Sequence, residues 1–219
     1  MKVVFFGDSN TWGYDPDNGS RQKCRFTEQI RKLHPDWEIV EEGLNGRTLN
    51  LPDPYALPRN GAEQISSVIR SHLPYDVLVV MLGTNDAKSC FMPSPRLLER
   101  GLKKFLNEAC NPALDRTSPY KMGRLLLVQP PRLNRAVLEE DPFSLFGEAG
   151  IHLMDNSGPI FEAAAKTFGV DCLRTDGDHP VMGGESDGIH LQKQGHAQMA
   201  ELLDRKLTEM EAELKKQNA

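Results

Sequence analysis

Ser9, Asp187 and His190 are the residues whose types and spacing could do chemistry together. A serine hydroxyl becomes a useful nucleophile only when a base takes its proton, and histidine suits that role near neutral pH. Ser9 stands in Gly7-Asp8-Ser9-Asn10, directly after a short apolar run and before Thr11-Trp12-Gly13. His190 closes Asp187-Gly188-Ile189-His190. A carboxylate three residues before a histidine can lie one turn away and accept from Nδ1–H, which leaves Nε2 to receive a proton. Each piece also has a plainer reading. Ser9 can simply cap a helix, and the Asp187–His190 spacing can be a local turn with a satisfied imidazole. The GxSxG elbow is not present here: Gly7 lies two residues before Ser9, but Thr11 fills the second glycine position.

Two further short segments offer donors for a developing negative charge. Asn85, in Gly83-Thr84-Asn85-Asp86, carries a neutral NH2 that can bind an oxyanion without protonating it. Gly46, in Gly43-Leu44-Asn45-Gly46-Arg47, could bring a backbone N–H close to a substrate oxygen. Read separately, the first is an Asx turn after a strand and the second a turn glycine. Trp12 and Ile189 flank the chemistry-bearing residues and are candidates for pocket walls or for ordinary core packing.

The elements that must position these residues are legible from apolar patterning. Short β-branched-rich runs at 2–6, 38–40, 76–82, 124–128 and 170–173 read as strands. Candidate helices fall between and after them at 25–33, 62–72, 95–109, 157–168 and 194–216. Ile65, Val68, Ile69 and Leu73 have the spacing of one helix face, as do Met199, Leu202, Leu203, Leu207 and Met210. Five buried strands alternating with helices predict a three-layer α/β domain with a parallel sheet, spanning 1–219 as one unit. The highly charged stretch 209–219 is expected to fray. In such folds ligands bind at the carboxyl ends of strands, where the four segments sit. Segments 45–60 and 130–155 are longer and irregular, with 53–58 and 143–151 as candidate covers for a site or contacts to another subunit.

The chain of 219 residues has 26 Lys+Arg against 31 Asp+Glu, a net charge of −5. That balance gives no reason to expect nucleic acid or an anionic membrane as partner. No apolar run is long enough to span a bilayer, and the N-terminus meets Gly7 and Asp8 too soon for a signal peptide, so a cytoplasmic protein is expected. Cys24, Cys90, Cys110 and Cys172 are scattered, as free intracellular thiols would be. No GxGxxG or GxxxxGK[ST] pattern suggests a nucleotide site.

Together the segments GDSN, EEGLNGRT, GTND and DGIH resemble, in order and spacing, the four sequence blocks of the SGNH (GDSL-type) hydrolases. The longer stretches GDSNTWG, MLGTND and DGIHL look like the arylesterase/acyltransferase branch. The resemblance implies a flavodoxin-like α/β/α fold and hydrolysis of small carboxylic esters, with acyl transfer to alcohols as a companion reaction and no cofactor. It implies Ser9 as nucleophile, His190 as base then acid, Asp187 as its orienter, and Ser9 N–H, Gly46 and Asn85 as the oxyanion hole. A homo-oligomer is a further expectation from the relatives. The family often has Leu at the fourth position of the first block, where this chain has Asn10; that difference lies outside the catalytic set and bears on local substrate contacts. Two other readings stand beside it. Asp176, Asp178, His179, Glu185, Asp187 and His190 could hold a divalent cation in a metal-dependent phosphoesterase, although no HExxH or EF-hand pattern occurs. A non-catalytic carbohydrate-binding module would need none of the four blocks together.

Overall fold

The computed structural model describes residues 1–53, 58–139 and 145–217. Among these residues five strands form one parallel sheet: β1 (Lys2–Gly7), β2 (Glu38–Gly43), β3 (Val77–Met81), β4 (Arg124–Val128) and β5 (Asp171–Leu173), in spatial order β2-β1-β3-β4-β5. The α-helices that accompany them are α1 (Ser9–Trp12), α2 (Phe26–Leu33), α3 (Gly61–His72), α4 (Pro95–Ala109), α5 (Gly147–Asp155), α6 (Gly158–Phe168) and α7 (Lys193–Gln217). This is the doubly wound, flavodoxin-like strand order.

Alternation along the strands feeds two cores. Val3, Phe5, Val77, Val79, Leu126 and Val128 pack with Phe26 and Ile30 of α2 and with Met199, Leu203 and Leu207 of α7. Val4, Phe6, Leu78, Val80, Leu125 and Leu127 face the other way, onto Ile65 and Ile69 of α3, Leu102 and Phe105 of α4, and Phe161 of α6. Helices on both faces leave the central strands β1, β3 and β4 buried on both sides, which is why they read as continuous apolar runs, while the edge strands β2 and β5 are only half-buried.

Three boundaries differ from the sequence-based expectation, each for a physical reason. β2 continues through Glu41 and Glu42 because both carboxylates find partners. Glu41 takes the Arg25 Nε at 2.7 Å and accepts from Thr27, and Glu42 lies 2.7 Å from the His72 Nε2. Burial raises the Glu41 pKa, yet the Arg25 and Thr27 bonds win and hold it at about 2. Within 130–155, α5 forms a helix of 9 residues that buries Ile151, Leu153 and Met154 against the α3/α4/α6 core. The C-terminal stretch does not fray from 209: α7 runs to Gln217, Met210 is fully buried, and Trp37 Nε1 donates to Glu211 Oε1 at 3.0 Å.

The register places the site. Gly7 of β1 pairs with Gly43 of β2 on one side and Met81 of β3 on the other. The turns carrying Ser9, Gly46 and Asn85 therefore leave the same carboxyl edge from three adjacent strands.

Candidate active site

β1 ends in Gly7, and Asp8 caps the single turn α1 by accepting the Asn10 N–H on Oδ1 at 2.9 Å. α1 lies hard against the end of β2. A Cβ on Gly43 would sit 2.4 Å from the Trp12 backbone nitrogen, so only glycine lets the helix approach this closely. Ser9 is thereby presented at the sheet edge, with 6% of its surface exposed.

The loop before α7 brings the partners from the far end of the chain. His190 Nε2 is 2.9 Å from Ser9 Oγ, and its Nδ1 is 2.5 Å from Asp187 Oδ2. The other Asp187 oxygen accepts the Ile189 and His190 N–H groups, both at 2.9 Å. Burial pushes the Asp187 pKa up, but the His190 bond and these backbone donors outweigh it and hold the carboxyl below its ordinary value. An ionised Asp187 fixes the proton on Nδ1, which leaves Nε2 to accept the Ser9 proton. The Tyr14 ring packs on the imidazole with centroids 4.6 Å apart.

The donors come from the next two strand ends. Gly46 has φ +79°, a left-handed conformation that favours glycine, while a Cβ there would meet only the movable tip of the Arg59 side chain, at 2.5 Å. Asn85 Nδ2 donates one hydrogen to the Arg47 carbonyl at 3.2 Å, and the second remains for the cleft. Arg47 itself is a buried knot. Its Nη1 donates to the carbonyls of Gly7 (2.7 Å) and Glu42, its Nε to Gln64 Oε1 at 2.9 Å, and its guanidinium lies 4.0 Å over the Phe6 ring. Burial lowers its pKa to about 10. Asp86, next to Asn85, accepts the Leu49 N–H at 2.9 Å and so ties the third strand's turn to the chain beyond Gly46. Burial raises the carboxyls of Asp86 and Asp8 to about 7 and about 6.

Ser9, Gly46, Asn85, Asp187 and His190 line one cleft of about 290 Å³. Tyr14, Ile189, Leu145 and Phe146 supply apolar wall, and Asn45 and Lys88 polar wall. Lys88 Nζ is held by Asp53 Oδ2 at 2.8 Å. The arrangement can deprotonate a hydroxyl and offer hydrogen bonds to charge developing beside it.

Ile189 lies where a pocket wall was expected, but Trp12 is not among the described residues lining the cleft. α1 ends at Trp12, whose ring instead has the Arg21 guanidinium 5.5 Å from its centroid; Tyr14, two residues on, takes the wall position. Of the candidate covers, Leu145 and Phe146 of 143–151 reach the cleft, as do Asn45 and Gly46 at the start of the longer segment 45–60, whereas 54–57 and 143–144 lie outside the described residues. The acidic and histidine patch does not assemble. Asp176 is held by Arg174 (both contacts 2.8 Å), and Asp178 and His179 border a different hollow with Gln198 and Arg205. Among the described residues no three His, Cys, Asp or Glu side chains converge as metal ligands. Leu145 and Phe146 belong to the candidate cover 143–151, whereas Tyr14 and Lys88 are not among the candidates; Tyr14, in the run directly after Ser9, stands close enough in sequence to be suspected.

Comparison with known proteins follows the same geometry. Over 96% of the chain, the structure superposes on Est24, a carbohydrate acetylesterase from Sinorhizobium meliloti, at a TM-score of 0.85 with 30% identity, covering 99% of that protein. The native M. smegmatis aryl esterase matches over 96% of this chain and 99% of its own, at a TM-score of 0.86 with 28% identity. No curated protein sequence matches the chain. The model of the GDSL-like lipase/acylhydrolase family matches residues 5–198, a span that holds every residue of the cleft, and the chain belongs to that family.

Proposed function

We propose that the protein is a serine esterase that hydrolyses short, acetyl-type carboxylic esters through an acyl-enzyme at Ser9. The observation that carries this reading is the continuous relay Ser9 Oγ–His190 Nε2, His190 Nδ1–Asp187 Oδ2, set in one cleft with Gly46 and Asn85. Ser9 Oγ attacks the ester carbonyl as His190 takes its proton, and the carbonyl electron pair moves to oxygen. Ser9 N–H, Gly46 N–H and Asn85 Nδ2 are the donors for that oxyanion. The tetrahedral species collapses, His190 gives its proton to the departing alkoxide, and the alcohol leaves. Water then attacks the acyl-enzyme by the same steps in reverse roles, releasing the acid and restoring Ser9. An alcohol in place of water gives the transferred ester.

The size of the cleft supports a small acyl group, since it falls at the bottom of the roughly 300–1,000 Å³ of ligand pockets. The activities named for the two similar structures, on acetylated carbohydrate and aryl esters, support acetyl esters as the class. The mild negative charge supports neutral over anionic esters. All four cysteines are free thiols, which supports a reducing, cytoplasmic setting. Self-association into a homo-oligomer, expected from the resemblance to the family, belongs to the same proposal.

Ser9→Ala tests the reading. With p-nitrophenyl acetate its turnover should fall at least about 1,000-fold while thermal unfolding stays unchanged. A folded Ser9→Ala protein with wild-type turnover would sink the assignment. A panel of acyl chains run on the wild type should show the rate dropping beyond short acyl groups.

A further inference from the structure

Asn10 follows the nucleophile directly, and its amide makes two bonds that no other part of the relay supplies. Oδ1 accepts the Leu191 N–H at 2.8 Å, and Nδ2 donates to the Ile189 carbonyl at 3.3 Å. The two partners are the residues on either side of His190. Asn10 is 1% exposed, and its own N–H is fixed by Asp8 Oδ1. One buried amide therefore grips the backbone on both flanks of the histidine while sitting on the helix that holds the serine.

We propose that Asn10 is a positioning residue that locks the loop carrying His190 onto the helix carrying Ser9. The proposal rests on the reading of Ser9 and His190 as nucleophile and base. Asp187 acts differently. Its bonds to the Ile189 and His190 N–H groups shape the loop internally and orient the imidazole, but none reaches α1. Gln22 Nε2 also bridges the Leu191 and Tyr14 carbonyls, at 2.8 and 3.0 Å, so without Asn10 the loop would keep its own form and that outer tie but lose its direct bonds to the turn that carries Ser9. A leucine, the common family residue at this position, fills similar space yet can neither donate nor accept. Asn10 thus acts on the distance between the relay's two halves and does not itself face the cleft.

A displacement of about 1 Å in a reacting pair can cost about 100-fold in rate. Asn10→Leu should accordingly lower kcat on p-nitrophenyl acetate by about 10- to 100-fold with KM within threefold of wild type. Asn10→Asp supplies a conservative second variant. Its introduced carboxyl, when protonated, can again donate to the Ile189 carbonyl and accept from Leu191; when ionised it can only accept. Asp8 on the same turn and Asp187 and His190 on the facing loop are the ionisable groups around it. The ratio of Asn10→Asp to wild-type kcat should therefore rise as pH falls, a dependence that simple loss of packing would not produce. Asn10→Leu folded with kcat within threefold of wild type overturns the proposal, and so does a pH-independent ratio for Asn10→Asp. Should Asn10→Leu fail to fold, the Asn10→Asp ratio decides alone. Ser9→Ala run in parallel separates the two ideas. Activity surviving in Ser9→Ala removes the relay and this proposal with it, whereas an inactive Ser9→Ala beside a fully active Asn10→Leu removes only the role of Asn10.

Discussion

At the scale of single residues, the site divides into groups that do chemistry and groups that aim them. On the proposed reading Asn85 belongs to the first kind: one of its amide hydrogens is spent on the Arg47 carbonyl, which leaves the other for the cleft that Asn85 lines. Asn85→Ala should lower kcat by about 100- to 1,000-fold with little change in KM, because an oxyanion donor acts mainly in the transition state. Steady-state kinetics on p-nitrophenyl acetate would check it; a rise in KM at unchanged kcat would mark Asn85 as a substrate-binding group instead. The residues proposed to react are legible in the sequence because few side chains can fill each role and all four blocks follow strands or precede a helix. The residues that aim them are not. Asn10 reads in the sequence as a substitution of local interest, and nothing in the one-dimensional order of Asn10 and Leu191 shows that the Asn10 side-chain amide meets the Leu191 backbone N–H. Trp12 and Tyr14 show the same limit, since which aromatic faces the cleft depends on where a one-turn helix stops.

At the scale of elements, strands and long helices are readable from apolar periodicity, and the failures share a cause. α1 is a single turn, too short to display a period. α5 opens on Gly147 without a side-chain cap, and its buried face follows a stretch with no periodic signal. β2 hides behind two glutamates whose partners, Arg25 and His72, are distant in sequence. The contact between α1 and β2 makes the sharpest test at this scale. Gly43→Ala places a methyl group 2.4 Å from the Trp12 nitrogen and 2.7 Å from its Cα, and a backbone cannot swing aside as a side chain can. Overpacking of this kind costs about 1–3 kcal/mol. The melting temperature should therefore fall by about 3–10 °C, and turnover should fall with it because the displaced helix carries Ser9. Calorimetry and kinetics on the purified variant would measure both, and an unchanged melting temperature would show that α1 has room to move.

At the scale of the whole molecule, buried ionisable groups around the site set opposing demands on pH. Asp8 and Asp86 titrate at about 6 and about 7 when folded, against 3.8 in an exposed chain, so between those values the folded protein holds more protons than the unfolded one. Their contribution is thus complete at low pH and is lost as pH rises from about 4 to 7. His196 works the other way. Burial, helped by the charges of Arg25 and His190, lowers its folded pKa to about 4 from 6.5, so its contribution is present above 6.5 and is lost as pH falls toward 4. Asp86→Asn keeps an oxygen for the Leu49 N–H and deletes the titration. Its urea midpoint should exceed that of wild type at pH 8 by more than it does at pH 4.5. The same difference at both pH values would show that Asp86 does not carry this dependence.

The relay joins residues 181 positions apart, and the bonds from Asn10 to the His190 loop span 179 and 181. On a ribosome adding about 5–20 residues per second, Ser9 therefore emerges roughly 10–35 s before the histidine proposed to activate it. During that interval β1 can pair with β2 and β3, but the serine remains an ordinary alcohol. With Ser9 and His190 in their proposed roles, a growing chain would lack the base for its serine, and prematurely terminated products that stop before His190 should show no esterase activity. Esterase activity in a cell extract would then count only polypeptides whose translation had passed the histidine of the relay.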